Sequence, residues 1–410
     1  MYNHLKHILS PRQHGFVTGR STNSNLLCYT TYLCSSFNNK KQVDAIYTDF
    51  SKAFDRVDHF VLLVKAQHVG IHGNLYRWLT SYLLNRTQLV ALCGYESVPF
   101  LVTSGVPQAS KLGPLLFLLF VNDLLSKISS ECLAYADDIK VFRRISDERD
   151  CVTLQSDINT ISAWCDENSM VLNIKKCQVI TFTKSRNPIQ YNYNVKGILV
   201  NRVEVVRDLG VIFDSVMSFR PHYDHICSRA NRMLSFILRT AKPFRRADSL
   251  IVLYSSLVRT MVEYCLAVWA PIYKVHTDRL ESIQRRFVRA LCSKYGLRRK
   301  LKQYDQRLAH FQIVSLEKRR WMSDLCTLHK IANGSLDSYL LNELYIKVPT
   351  RSVRKPQLFM IPTSNNNVSQ NGPLARMCKY YNSVCSHVDI FHNSSFEFRR
   401  IIRGADLQPE

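Results

Sequence analysis

Two adjacent carboxylates between two short apolar runs are the feature that most restricts how this chain can fold. Residues 133–142 read Leu-Ala-Tyr-Ala-Asp-Asp-Ile-Lys-Val-Phe, which predicts a strand, a two-residue turn at Asp137 and Asp138, and a second strand. An Asp-Asp pair is a poorer turn than Asn-Gly and sets two like charges side by side. Mg²⁺ would make the pair favourable, because it takes oxygen ligands from one or two protein carboxylates and leaves room for substrate phosphates. The pattern therefore points to metal-assisted phosphoryl chemistry.

The length and the hydrophobic content of the chain are sufficient for more than one hydrophobic core. With 410 residues, 46% of them hydrophobic, it has material for two or three packed domains. The longest apolar run, 115–121, is too short for a membrane span, and the N-terminus lacks the apolar core of a signal peptide. The thirteen cysteines contain no Cys-x-x-Cys spacing, so no zinc knuckle is indicated. We expect an intracellular protein of the nucleus or the cytoplasm without a membrane partner.

Positive charge is concentrated in the second half of the chain. Residues 201–410 hold 34 Lys and Arg against 17 Asp and Glu, whereas residues 1–200 hold 21 against 15, within a net charge of +23. Clustered basic side chains release counterions on contact with a phosphate backbone, so the pattern predicts a polyanionic partner. Solvated helix faces remain the alternative for any single cluster. The clusters include Arg239, Lys242, Arg245, Arg246, Arg285, Arg286 and Arg289.

Strand-like and helix-like patterns alternate along the first half. Residues 43–50 predict a strand that ends near Asp49, and a helix with Ser51 as its N-cap then continues to Gly70. The sequence next predicts, in order, a helix over 75–83, short strands at 88–92 and 98–102, a loop over 105–113, a buried helix from Pro114, the aspartate hairpin, a helix over 154–165 and a strand over 170–182.

This order of elements is an α+β arrangement of the split βαβ type. In it, Asp49 at a strand end can lie beside the Asp137–Asp138 tip, so three carboxylates would converge on one edge of the sheet. From about residue 220 the pattern becomes helical, and the stretch Ser364–Gly372, rich in Asn and Ser, predicts a linker. The predicted helices are 226–239, 249–268, 277–291 and 315–331.

Five motifs in a fixed order resemble the reverse transcriptases of non-LTR retrotransposons, in particular the jockey-like group. They are Gln-His-Gly-Phe with Gly-Arg-Ser-Thr (13–22), Tyr-Thr-Asp-Phe-Ser-Lys-Ala-Phe-Asp (47–55), Gly-Val-Pro-Gln with Leu-Gly-Pro (105–114), Tyr-Ala-Asp-Asp (135–138) and Leu-Asn-Ile-Lys-Lys-Cys (172–177).

The resemblance implies a right-hand polymerase. We expect an α+β, ferredoxin-like palm with truncated fingers, followed by a mainly α-helical thumb and C-terminal region. The expected divisions are residual fingers at 1–35, the palm at 36–185, the palm–thumb junction and thumb at 186–248, a basic helical region at 249–345 and a tail segment at 346–410.

The resemblance also implies roles for individual residues. Asp49, Asp137 and Asp138 would hold two Mg²⁺ ions, with Mn²⁺ as a substitute, and catalyse transfer of a nucleotide from a dNTP to a primer 3′-hydroxyl. Lys176 would act as general acid toward the leaving pyrophosphate. The expected nucleotide-binding residues are Phe50, Phe54 as the gate against ribonucleotides, Gln108 and Arg20.

Structural alternatives stand beside these roles. Asp49 could cap a helix, and Asp137 and Asp138 could form a solvated turn. Phe54 could be a core residue and Gln108 a turn residue, while adjacent Lys175 competes with Lys176 for the lysine role.

The chain also departs from the family pattern. Ala109 and Lys111 stand where the family has Gly and a small or apolar residue, and positive φ at Ala109 would cost about 1 kcal/mol. Arg12 and Arg20 are the basic residues left near the expected triphosphate site, because the family's earlier fingers strands are missing from the sequence.

Two functions follow from the resemblance. The first is an RNA-directed DNA polymerase that binds an RNA template, a DNA primer, their hybrid and dNTP, with an endonuclease module elsewhere in the element. The second is a catalytically silent nucleic-acid-binding remnant. An RNA-dependent RNA polymerase is a third, which Phe54 disfavours.

Overall fold

The computed structural model describes residues 1–347, 357–361, 363, 364 and 366–404. The chain forms two compact units, the first of Met1–Asn25 and Lys40–Glu204, the second of Leu26–Asn39 and the residues from Val205 onward. Within the described ranges, no helix has both the length and the apolar content needed to cross a membrane. Part of the tail predicted at 346–410 (348–356, 362, 365 and 405–410) lies outside the described residues.

A five-stranded sheet lies at the centre of the first unit. The strands of this unit are β1 (Gln42–Thr48), β2 (Thr87–Gln88), β3 (Ala91–Leu92), β4 (Tyr95–Glu96), β5 (Phe100–Leu101), β6 (Glu131–Tyr135), β7 (Asp138–Ile145), β8 (Gln178–Phe182), β9 (Asn194–Val195), β10 (Ile198–Leu199) and β11 (Asn201–Val203). The order across the main sheet is β11, β8, β1, β7, β6, and all neighbours are antiparallel except β8 and β11. The mixed helix and strand content agrees with the predicted α+β class.

Helices accompany these strands in the chain. They are α1 (Tyr2–Leu5), α2 (Thr22–Asn38, which continues into the second unit), α3 (His59–His68), α4 (Gly73–Leu83), α5 (Leu112–Lys127) and α6 (Glu148–Glu167). Ile46, Val141 and Val179 are cross-strand neighbours, and they share one buried cluster with apolar residues of α3 to α6. Helix α5 is apolar on nearly all sides, as expected for a helix enclosed by the core.

The predicted start of the helix at Ser51 is wrong, and only the second half of the predicted range forms a helix, α3. A 3₁₀ turn at Ala53–Asp55 follows Lys52, which has φ of 53°, and α3 begins only after Asp58, whose side chain accepts the Val61 N–H at 3.0 Å. The reason is a competing partner, because the carbonyls of Phe54 and Val57 accept the N–H groups of residues 106 and 105 at 2.9 and 2.8 Å. These carbonyls are therefore used by the 105–113 loop rather than by a helix.

The predicted strand over 170–182 is shorter in the structure. Leu172 forms a single bridge with Phe50, a 3₁₀ turn occupies Ile174–Lys176, and only Gln178–Phe182 forms β8. The alternating apolar residues therefore belong to two different local structures.

The second unit is mainly helical, as predicted from about residue 220 onward. Its elements are the hairpin β12 (Val205–Asp208) and β13 (Val211–Asp214) and the helices α7 (Arg220–Thr240), α8 (Ala247–Leu253), α9 (Thr260–Glu263), α10 (Leu266–Trp269), α11 (Lys274–Lys294), α12 (Tyr304–His310), α13 (Leu316–Ala332), α14 (Ser338–Asn342), α15 (Asn367–Gln370), α16 (Pro373–Val384) and α17 (Ser395–Gly404).

Two predictions for this unit need correction. The helix expected over 249–268 ends at Glu263, because Cys265 has φ of 51° and separates α9 from α10; a π-helical turn at Tyr254–Arg259 joins α8 to α9. The linker expected at Ser364–Gly372 contains the short helix α15, whose N-cap Asn366 accepts the Ser369 N–H at 2.9 Å.

Candidate active site

The register of the sheet brings Asp49 to the aspartate hairpin. Thr48, the last residue of β1, pairs with Ile139 of β7, so Asp49 lies next to Asp138 at the same edge of the sheet. On the other side, the Asp49 carbonyl accepts the Asn173 N–H at 2.7 Å, which fixes the backbone after the strand. Carboxylates distant in the chain are therefore neighbours in space.

The turn of the hairpin differs from the prediction. Tyr135 pairs with Asp138, so the two turn residues are Ala136 and Asp137, and Asp138 is the first residue of β7. Ala136 has φ of 59° whereas Asp137 does not have a positive φ, the combination found in a type II′ turn. Asp137 is half-buried on the turn, and Asp138 is exposed on the strand.

The electrostatics of this edge favour a bound cation. Burial is the largest cause that raises the pKa of the Asp137 carboxyl, and the charge of Asp49 raises it further. A hydrogen bond that the carboxylate accepts from its own backbone N–H and the charge of Lys176 lower this pKa. The Oδ2 atom of Asp49 is buried and makes no hydrogen bond, although Lys176 Nζ lies 3.2 Å from it. An oxygen of this kind, beside a second carboxylate, is suited to a hard divalent ion.

The three carboxylates are neighbours but do not form one compact group of ligands. Their oxygens, all on described residues, do not lie within 4.8 Å of one another as a group. This spacing does not fit one ion bound by all three. It is compatible with two ions, each held by a part of the set.

Gln13 is a positioning residue that the sequence analysis missed. The residues around it lie parallel to β6, and its buried side chain holds the turn: Oε1 accepts the N–H groups of Gly15 and Ala136 at 2.8 and 2.9 Å, and Nε2 donates to the Ala136 carbonyl at 3.3 Å. A Cβ on Gly15 would lie 2.4 Å from the Ala136 nitrogen. The Gln-His-Gly motif therefore supports the Tyr-Ala-Asp-Asp turn, and the Gln two residues before a Gly was the signal in the sequence.

Lys176 lies at the site and, unlike Lys175, forms an ion pair there. Lys176 ends the 3₁₀ turn at Ile174–Lys176 and forms the ion pair with Asp49, while its side chain remains 66% exposed. Lys175 is exposed and has no ion pair among the described residues.

Phe54 and Gln108 lie on two segments that are bonded to each other. Phe54 is half-buried, and its ring stacks on Phe117 with a centroid distance of 4.4 Å. Gln108 is exposed, and its Nε2 donates to Asp55 Oδ1 at 2.7 Å. The adjacent Ala109 has φ of 55°, the left-handed conformation whose cost was anticipated from the sequence.

Phe50 does not present its ring to the site. Its side chain is 4% exposed and lies against Trp164, with a centroid distance of 6.3 Å. A nucleotide could contact Phe50 only through its backbone.

Arg20 and Arg12 are engaged in structural contacts. Arg20 Nη1 donates to the carbonyls of Ser10 and Gln13 at 3.1 and 2.7 Å. Arg12 Nη1 donates to the carbonyls of Leu125 and Ile128 at 2.9 and 3.0 Å, at the C-terminal end of α5. These bonds tie one nitrogen of each guanidinium group to backbone carbonyls.

The seven predicted basic residues are all exposed in the second unit. Helices α7 and α11 pack side by side in parallel, because Arg286 of α11 donates to Asn231 and Ser235 of α7 at 3.2 and 2.9 Å, and Lys294 donates to the Ala241 carbonyl at 2.9 Å. Both C-terminal ends therefore lie at the same end of the pair, where most of these charges are found.

Comparisons with known proteins match the part of the chain that contains this site. The family model described as reverse transcriptase (RNA-dependent DNA polymerase) matches residues 1–213. The probable RNA-directed DNA polymerase from transposon BS of Drosophila melanogaster is 28% identical over 300 residues, which are 70% of this chain and 33% of that protein. The RNA-directed DNA polymerase from mobile element jockey of the same organism is 26% identical over 291 residues, 68% of this chain and 31% of that protein.

The chain spans about a third of the length of these curated relatives. Among solved structures, apo telomerase from Candida tropicalis aligns with a TM-score of 0.44 and 11% identity over 82% of this chain and 54% of that chain. This structural likeness is too weak to carry an argument.

Proposed function

Because the chain belongs to the reverse transcriptase (RNA-dependent DNA polymerase) family, we propose that it extends a DNA primer on an RNA template with nucleotides from dNTPs. The predicted resemblance to the jockey-like group of non-LTR retrotransposons is confirmed by the relatives named above. The observation that carries the proposal is the position of Asp49 beside Asp137 and Asp138 at one edge of the sheet.

The three carboxylates are the proposed metal ligands and catalytic residues. Bound there, two Mg²⁺ ions, or Mn²⁺ in their place, would supply activation of the primer 3′-hydroxyl and neutralise charge on the triphosphate. Asp49 contributes a buried oxygen without a hydrogen bond, and Asp137 a carboxylate whose ionised form is destabilised by burial. Lys176 lies within reach of Asp49 and is the proposed proton donor to the leaving pyrophosphate.

Phe54 and Gln108 are the proposed nucleotide-selecting residues. The stacking of Phe54 on Phe117 holds the ring in one orientation, as a gate against a 2′-hydroxyl requires. The bond from Gln108 to Asp55 ties the loop to the same segment, so the two residues would respond together to a nucleotide. Phe50, through its backbone, and Arg20 are further proposed nucleotide contacts, and Arg20 also supports the motif around Gln13.

The parts of a right-hand polymerase are assigned as further proposals. Residues 36–185 are the proposed palm, 1–35 the residual fingers, 186–248 the junction and thumb, 249–345 the basic helical region and 346–410 the tail. The exposed basic side chains of α7 and α11 would bind the phosphate backbone of the RNA–DNA hybrid. An endonuclease module would be supplied elsewhere in the element.

Primer extension on an RNA template with Mg²⁺ tests the activity. Loss of a metal ligand costs several kcal/mol of transition-state stabilisation, so Asp137→Asn should lower the extension rate by about 1000-fold. Asp166→Asn is the matched control, because Asp166 is an exposed residue of α6 whose carboxylate pairs with Lys196 at 2.5 Å. Equal extension by wild type and Asp137→Asn would overturn the proposal.

A silent nucleic-acid-binding remnant is the second candidate. It is favoured by the left-handed conformation of Ala109 next to Gln108. Salt-dependent binding of the hybrid without any nucleotide incorporation by the wild-type chain would support it against the first.

A further inference from the structure

A polar cavity of about 420 Å³ lies in the second unit. It is lined by the segment after α10, the beginnings of α11 and α13, and α16. Arg320 and Trp321 of α13 are among the lining residues, together with Lys274 of α11.

Arg320 is buried without a partner. Its residue surface is only 8% exposed, and among the described residues no acceptor or carboxylate lies within hydrogen-bond or ion-pair distance of its guanidinium. A guanidinium carries five N–H donors and is always charged at neutral pH, so leaving it unpaired in the interior is costly. A group of this kind calls for an acceptor that binds in the cavity.

Asp324 and Glu281 are already used, and Asp278 of the cavity lining is paired with Arg285 at 3.7 Å, whereas Glu317 of the lining is exposed and has no ion pair among the described residues. Asp324 is bound by Arg376 through contacts of 2.7 and 3.2 Å. Glu281 accepts the N–H groups of Leu316 and Glu317 at 3.2 Å each, so it also occupies the N-terminal end of α13. The first N–H groups of α13 are therefore hydrogen-bonded to Glu281, and the donor without a partner is the Arg320 side chain.

A second donor in the same lining has no partner. The Nε1 atom of Trp321 is buried and makes no hydrogen bond. Burial lowers the pKa of the Arg320 guanidinium, and the charges of Glu281, Glu317 and Asp324 only partly oppose this. An anion with several oxygens in the cavity would satisfy the Arg320 guanidinium and stabilise its charged form.

We propose that this cavity binds a phosphate group of a nucleic-acid strand, with Arg320 as its principal ligand. Phosphate matches the fork of the guanidinium, which binds it through two parallel hydrogen bonds. The choice of a nucleic-acid phosphate rests on the proposed function, whereas the anion site itself does not. A free phosphate ion has the same chemistry and is separated from it by experiment.

The first test is thermal unfolding of the full chain with and without inorganic phosphate at constant ionic strength. Arg320→Gln should leave the melting temperature without phosphate unchanged or raised, because an unpaired buried charge is removed, and it should abolish the rise caused by phosphate. Arg319→Gln is the control: Arg319 is bound to Glu263, with one contact at 2.8 Å. It should lower the melting temperature and keep the phosphate effect. A wild type that does not respond to phosphate, or an Arg320→Gln variant that still does, would overturn the site.

The second test identifies the source of the phosphate. Arg320→Gln should weaken binding of a labelled RNA–DNA hybrid by about tenfold and reduce the salt dependence by about one phosphate contact, while Arg319→Gln should do neither. A phosphate-dependent melting shift with unchanged hybrid affinity would show a free-phosphate site and contradict the proposal. Neither test measures extension. Failure of the phosphate-site proposal is therefore distinguishable from failure of the polymerase assignment, which Asp137→Asn tests.

Discussion

At the scale of single residues, the candidate site depends on Gln13. One amide side chain makes three hydrogen bonds to backbone groups, two of them to the Ala136 peptide units that form the turn before Asp137. Because a misplacement of about 1 Å can cost a factor of about 100 in rate, the side chain that fixes the turn matters to catalysis without touching substrate.

Gln13→Ala should lower both stability and extension. It leaves the buried N–H groups of Gly15 and Ala136 without an acceptor, which costs about 2 kcal/mol or more in the free energy of unfolding. Urea unfolding and kcat for extension measure the two effects, and hybrid affinity should change little. Gln88→Ala, at an exposed strand position, serves as the control. A variant with unchanged unfolding and unchanged kcat would show that the turn holds its geometry without Gln13.

Asp137 should make the ion-free protein less stable as pH rises. Its pKa is raised in the folded chain above the ordinary value of 3.8, so the folded state keeps its proton to higher pH than the unfolded state does. Stability is therefore lost as pH rises from the ordinary value through the raised one. At neutral pH in a chelator, Asp137→Asn should melt at a higher temperature than wild type, and Mg²⁺ should stabilise the wild type alone. A lower melting temperature for the variant at neutral pH contradicts this electrostatic account.

At the scale of elements, the loop over 105–113 replaces the helix that the sequence predicts after Ser51. Periodicity indicated a helix because Phe54 and Val57 recur at helical spacing, yet their carbonyls are bound by a loop about 50 residues later in the chain. Such a partner is not visible in a local pattern. In contrast, the long helices α7, α11 and α13 were predicted, because their apolar faces repeat over several turns.

The contact between this loop and the 3₁₀ turn predicts a large cost for Gly105→Ala. A Cβ there would lie 2.8 Å from the Asp55 carbonyl oxygen, and the residue has φ of 88°. Gly94→Ala is the matched control, because Gly94 has φ of 85° with no atom near its Cβ position. The control should lose about 1 kcal/mol for the conformation alone, and Gly105→Ala should lose more and also relax the discrimination against ribonucleotides. Equal losses from the two substitutions, measured by urea unfolding, would mean that the close approach is unimportant.

At the scale of the whole molecule, the candidate catalytic carboxylates and the exposed basic residues lie in different parts of the chain. The carboxylates belong to the first unit and the exposed basic residues to the second. The sequence predicted this division because it is a matter of composition. It could not predict that Arg12 and Arg20 bind backbone carbonyls, since those partners come from turns and a helix end whose positions depend on the fold.

The division predicts that hybrid binding depends steeply on salt. Each phosphate contact contributes about 0.9 to the slope of log affinity against log salt. Replacing Arg239, Lys242 and Arg289 together with Gln should therefore reduce the slope by up to about three contacts. Lys196→Gln, in the first unit and paired with Asp166, is the control. A slope that falls equally in both proteins would contradict the assignment of the basic helices to phosphate binding.

Cleavage of the chain by bound ferrous iron tests the central claim most directly. Fe²⁺ accepts oxygen ligands in the place of Mg²⁺, and with ascorbate and peroxide it cuts the backbone nearby. The account predicts cuts at residues 48–50 and at 136–139, which compete with Mg²⁺ and disappear together in Asp49→Asn. Cuts at one of these segments alone, or an unchanged pattern in Asp49→Asn, would show that the carboxylates do not share a metal site.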